Sequence, residues 1–259
     1  MNLSIYQVDA FTNKLMSGNP AAICPLSEWL PDELMQKIAA ENNLSETAFF
    51  VKKDDRYELR WFTPTFEIDL CGHATLASAF VLFELLGETT NVLKFQTKSG
   101  LLEVEKDNNL LVLDFPVREA ESCEVPGNLI KAIGKTPIEV LKSRDYLMVY
   151  ESEDEIRQIN PNFAELLEID AHAVIVTARG TDCDFVSRFF APEVGVFEDP
   201  VTGSAHCTLI PYWAEKLGKE KLFARQISAR GGELFCELKN DRVKIGGNAT
   251  LYMKGEIYI

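Results

Sequence analysis

The chain repeats itself, and this limits its fold more than any other feature. Arg60-Trp61-Phe62-Thr63-Pro64 answers to Arg188-Phe189-Phe190-Ala191-Pro192, and Cys71-Gly72-His73-Ala74 to Thr202-Gly203-Ser204-Ala205. The run after each glycine ends at Leu86-Gly87 and at Leu217-Gly218, the same distance on, so the register holds across a whole helix. Farther along, Gln96-Thr97-Lys98-Ser99-Gly100, the alternating Leu102-Glu103-Val104-Glu105 and a turn at Asp107-Asn108-Asn109 match 226–232, 233–237 and Asn240-Asp241. Alternation bounded by Asn/Asp turns signals a hairpin. Each half therefore reads as strand, loop, helix, strand, hairpin.

The helix after Gly72 is apolar nearly all round, with Ala74, Leu76, Ala77, Ala79, Phe80, Val81, Leu82 and Phe83 leaving no normal polar face. Such a helix is buried. The expected fold is α+β: two pseudo-symmetric lobes, each a curved, mostly antiparallel sheet wrapping a buried central helix. A polar, acidic stretch over 118–127 with Pro126 reads as a linker. It divides the chain into lobes 1–118 and 126–259, with the final strand free to return to the first lobe. Strands are expected over 4–11, 47–51 and 57–62 in the first half, and over 140–150 and 173–177 in the second. A peripheral helix starts at Pro31 with Asp32 and Glu33 in its first turn. Leu34, Met35, Ile38 and Ala39 give it one apolar face, and Asn42-Asn43 can stop it.

A hydrophobic share of 46% rules out wholesale disorder. A formal net charge of −14 argues against nucleic acid and against anionic membrane surfaces, since both need a basic footprint. The most apolar stretch, 74–83, is too short to span a bilayer. The amino terminus has no export-signal pattern and reads as a strand, which points to the cytoplasm and six reduced cysteines.

Chemistry concentrates at the two helix starts. A small-residue turn entering a helix presents backbone N–H groups and the positive end of the dipole. Cys71-Gly72-His73 and Thr202-Gly203-Ser204 both fit, and together they would hold a carboxylate or a developing enolate. The plainer reading is that each glycine lets a buried helix begin, but that leaves His73, Thr202 and Ser204 unexplained. Glu46, just before the apolar run 47–51, reads as a partly buried carboxylate suited to acid–base work, or as a cap. Cys71 at a helix start is expected to have a lowered thiol pKa. His206, one turn into its helix, reads as structural, and His172 as a satisfied core residue.

Asp69-Leu70-Cys71-Gly72-His73-Ala74-Thr75 and Glu198-Asp199-Pro200-Val201-Thr202-Gly203-Ser204-Ala205-His206 resemble the two signatures of the phenazine-biosynthesis PhzF-like isomerase family. So do Asp9-Ala10-Phe11, Gly18-Asn19-Pro20-Ala21 and Leu44-Ser45-Glu46-Thr47-Ala48-Phe49. The resemblance implies a diaminopimelate epimerase-like fold with the site between two lobes. It puts the proton-transferring carboxylate on Glu46 and sets Asp199 and His73 with it as catalytic residues. Gly72, Cys71, Thr202, Gly203 and Ser204 would bind substrate.

A two-thiol racemase fails on these residues, because Thr202 stands where the second thiol would be and Cys207 lies too far into its helix. A metal site from Cys71, His73, His206 and Cys207 lacks zinc-ligand spacing, so no metal is expected. No phosphate loop or dinucleotide fingerprint occurs. The expected function is a cofactor-independent isomerase that moves a carbon-bound proton on a small carboxylate metabolite. The alternatives are an amino-acid epimerase or racemase, or a non-catalytic binding or scaffold protein that keeps the fold. A homodimer is compatible with the resemblance.

Overall fold

The structure, a computed structural model, describes residues 2–259. The chain forms two compact units, Met1–Asp114 with Gly246–Ile259, and Phe115–Ile245. Both are α+β, and both follow one connectivity.

In the first unit, Asn2–Ala10 and Asn19–Leu26 pair antiparallel, and Asn19–Leu26 then pairs parallel with Glu46–Lys53. Parallel neighbours need a crossover, and the peripheral helix Asp32–Asn42 supplies it. It buries Met35, Ile38 and Ala39 and stops at Asn43, whose φ of 48° is left-handed. Glu46–Lys53 turns back through Arg56–Phe62, which pairs parallel with Val92–Thr97. The crossover here is the central helix, Gly72–Phe80, continued as a π-helical turn over Val81–Leu85. Its residues His73 to Ala79 are all buried. A three-stranded meander, Val92–Thr97, Gly100–Asp107 and Leu110–Pro116, completes the repeat, with Asn108 at φ 54° in its last turn.

The second unit uses the same plan with different residues. Glu139–Lys142 and Tyr146–Val149 pair antiparallel, and the latter is parallel to Val174–Arg179. Val174–Arg179 turns back through Phe185–Ala191, which is parallel to Lys221–Gln226. The crossover between those two is the helix Gly203–Leu217. Asn240, at φ 54°, repeats the backbone of Asn108 in the hairpin that follows Gly232–Lys239.

Three expectations need correction. The run 140–150 is a hairpin rather than one strand, because Ser143-Arg144-Asp145 makes a polar turn in which Ser143 N–H donates to Asp145 O. The stretch 118–127 carries the short strand Glu121–Ser122, paired with Leu141 and Lys142. Arg118 is also tied down, since its N–H donates to Cys207 O at 3.0 Å. That carbonyl lost its helical partner four residues on, where Pro211 has no N–H. His172 is no core residue: its side chain is 40% exposed and pairs with Asp145 at 2.9 Å. The closing strand, Ala249–Tyr258, runs antiparallel to Asn2–Ala10 within the first unit.

The repeated Arg-x-Phe of each half has a use that the sequence comparison alone did not suggest. Arg60 forks onto Glu67 at 2.7 and 2.8 Å and lies over the Phe62 ring. Arg188 forks onto Glu198 at 2.7 and 2.9 Å and lies over Phe190. Each fork pins the loop that runs from a strand to a central-helix start, and bidentate geometry makes it directional.

Candidate active site

The motifs of the first half meet inside the first unit. Glu46 opens its strand with a side chain 13% exposed, and its Oε2 lies 2.9 Å from Nε2 of His73. His73, second residue of the Gly72 helix, is buried. The Asn19 carboxamide lies 3.2 Å from its Nδ1, and Cys71 Sγ lies 3.5 Å from the same atom. Asn19 is fully buried, and we did not single it out as a site residue from the sequence, although it lies in a quoted motif. Gly18 sets Asn19 in place: at φ 65°, an added Cβ would lie 2.2 Å from Ala10 O. Asp9 braces the same loop by accepting from Met16 N–H at 2.8 Å.

Electrostatics at this cluster run opposite to one expectation. Burial, aided by the Glu46 charge, pushes the Cys71 thiol up to about 11, so the helix start does not make it a thiolate. Burial opposes a charge on His73, but Cys71 and Glu46 beside it raise its pKa well above the ordinary histidine range. The His73 imidazole and the Glu46 carboxyl thus face each other at 2.9 Å with little solvent around them.

In the second unit, Asp199 accepts from the Thr202 hydroxyl. Gln226, another residue unmarked by the sequence reading, clamps the same loop. Its Nε2 donates to Asp199 O at 2.7 Å, and its Oε1 accepts from Thr202 N–H at 2.8 Å. Ser204, in the first turn of the Gly203 helix, accepts from Arg144 Nη2 at 3.4 Å. No side-chain hydrogen bond caps either central-helix start. A concavity of about 850 Å³ at the other end of the Gly203 helix, beside Glu139, Tyr212 and Lys216, contains none of the expected site residues.

His206 is structural, as read from sequence. It stands where Thr75 stands in the first half, and both side chains return to the carbonyl four residues back. Thr75 Oγ1 donates to Cys71 O, and His206 Nδ1 lies 2.8 Å from Thr202 O. Burial, only partly offset by that backbone bond, lowers the His206 pKa to about 4. A folded-state pKa below the unfolded value of ~6.5 means that the unfolded chain binds the extra proton first. The full contribution is therefore present above about pH 6.5, and it is lost as the pH falls towards 4, by about 3 kcal/mol in all. Urea unfolding at pH 7 and pH 4 should show that loss, and His206→Asn should flatten it.

Residues 8–255 match the phenazine biosynthesis-like protein family. The chain belongs to that family. A Pseudomonas aeruginosa protein named an uncharacterized isomerase is 52% identical over the whole of both chains. The crystal structure of a PhzF-family phenazine biosynthesis protein from Enterococcus faecalis superposes with a TM-score of 0.98, at 48% identity and full coverage of both chains. A predicted epimerase of Pseudomonas aeruginosa, 19% identical, shares the fold with a TM-score of 0.77 over 99% of both chains. Relatives of this chain are thus named isomerases, and its fold is shared with a protein described as a predicted epimerase. No helix among its described residues is long and apolar enough to cross a membrane.

Proposed function

We propose that this protein is a cofactor-independent isomerase in which Glu46 takes a proton from a carbon of a small carboxylate metabolite and returns it at another position. The observation that carries this reading is the contact between half-buried Glu46 and buried His73. A carboxylate largely out of bulk water and beside an imidazole has an accepting oxygen and little competing solvent. Once Glu46 is protonated, His73 is the adjacent donor. It can hydrogen-bond to the acid or to negative charge that develops on the substrate.

On this reading Asp199 is the second proton-handling or hydroxyl-orienting group, and the Thr202 hydroxyl fixes its carboxylate. Gly72, Cys71, Thr202, Gly203 and Ser204 bind substrate, the uncapped helix starts offering N–H groups to an anion. The Cys71 thiol, protonated at neutral pH, is poorly suited to open proton abstraction, so a two-thiol racemase gains no support.

The test is exchange in heavy water. Candidate carboxylic acids are incubated with the protein in D2O, and deuterium entering carbon positions is followed by NMR. Wild-type protein should label the substrate at the position of proton return, and Glu46→Gln should not. Equal labelling by both proteins would show that another group is the base.

A further inference from the structure

Glu46, Cys71 and His73 come from two separate segments, yet one ligand atom of each lies within 4.8 Å of the others. Cys71 Sγ is 4.0 Å from His73 Nε2, and that nitrogen is 2.9 Å from Glu46 Oε2. Around a tetrahedral Zn2+ with ordinary bond lengths, such ligand pairs stand roughly 3.4–3.6 Å apart. The two measured separations are thus each about half an ångström or less from that spacing. One sulfur, one imidazole and one carboxylate oxygen suit a borderline-soft cation and are a poor set for Mg2+ or Ca2+, which take oxygen.

From this geometry we infer that Glu46, Cys71 and His73 form a three-ligand site for a thiophilic divalent cation of the Zn2+ class, whose binding inhibits the isomerase. The cation replaces the thiol proton of Cys71 and the Nε2 proton of His73, both of which pass to solvent, and it takes the Glu46 oxygen as third ligand. A fourth position stays open to water. Nothing is oxidised or reduced. The carboxylate assigned as base is then bound to metal and cannot accept a proton from carbon. Cation binding rests on the ligand geometry alone, and only the inhibition rests on the proposed function.

Co2+ is the probe, because its spectrum reports both sulfur ligation and coordination geometry. Titrating CoCl2 into the full chain should give a sulfur-to-cobalt charge-transfer band and intense tetrahedral visible bands that saturate at one equivalent. One equivalent of ZnCl2 should abolish them. Cys71→Ser should remove the charge-transfer band. Glu46→Gln should weaken Co2+ binding by more than the ~10–100-fold that loss of an outer-shell partner costs. Cys183→Ser, which alters a part-buried thiol in the other unit, should leave the spectrum unchanged. If Cys71→Ser does not fold, judged by circular dichroism, Cys71→Ala carries the same test. A wild-type protein with no charge-transfer band at a hundredfold excess of Co2+, or a band that survives loss of Cys71, overturns the site. With the site upheld, stoichiometric Zn2+ should abolish deuterium exchange reversibly by chelator. Undiminished exchange at full occupancy overturns the inhibition without touching the binding.

Discussion

Glu46→Gln is expected to lower turnover by roughly 10²–10⁴-fold, the usual range for a positioned acid–base group, with little change in substrate affinity. Glutamine fills the same volume and can hold a hydrogen bond to His73, so the fold should survive. What it cannot do is accept a proton. The substitution also removes one of the two groups that raise the His73 pKa. Burial is then opposed by Cys71 alone, and the His73 pKa should fall from its raised position. NMR titration of the His73 ring reads this shift without any knowledge of the substrate. The linkage has a definite sign. A raised histidine pKa stabilises the fold below the unfolded value of ~6.5, and that contribution is lost as pH rises through the folded-state value. In Glu46→Gln this alkaline loss should shrink. An unchanged His73 titration would mean that the pair seen in the structure does not control the imidazole.

Arg188→Met is expected to destabilise the second unit by about 1–3 kcal/mol, the cost of leaving half-buried acceptors without their donor. Arg188 is only 13% exposed and holds Glu198, 23% exposed, through both carboxylate oxygens. Its Nη1 also donates to Ile156 O and Ile159 O at 3.1 and 2.7 Å, tying the end of the short helix Glu153–Gln158 to the sheet. Methionine keeps the apolar stem over Phe190 but leaves a carboxylate and two carbonyls without that donor. Arg60→Met, the matching change in the first unit, should cost less. There the third contact goes to Asp32, whose side chain is 74% exposed and readily hydrated. Denaturant midpoints for the two variants check the order. Adding Glu198→Gln to Arg188→Met should recover part of the loss, which would identify a stranded charge as its main cause. Equal destabilisation by the two arginine variants would remove the distinction.

Much of this protein was legible in its residues because the features were local or repeated. The duplication survives as two sets of strands of the same connectivity, since each half carries its own alternation, turn residues and largely buried helix. Position along the chain was enough for the peripheral helix, where Pro31, the acidic first turn and Asn43 act on neighbouring backbone. It was enough for His206 too, because that side chain bonds to a carbonyl four residues away. Other features depend on groups far apart in sequence. The Cys71 pKa turns on burial and on Glu46, which come from the fold, and these outweigh the helix start that the sequence displays. Asn19 and Gln226 matter through partners 54 and 24 residues away, so spacing could not mark them.

The two glycine-centred helix starts show the division most clearly. Sequence by itself determined that there are two of them, each opening a helix of the same length, the first of them apolar nearly all round. Local hydrogen bonding and helical periodicity suffice for that. Only the tertiary structure decided what surrounds them: a histidine between a glutamate and a protonated thiol at Gly72, and an aspartate held by a threonine and a glutamine at Gly203. Charge, burial and ligand geometry depend on distance in space, and folding brings together segments that the chain keeps apart.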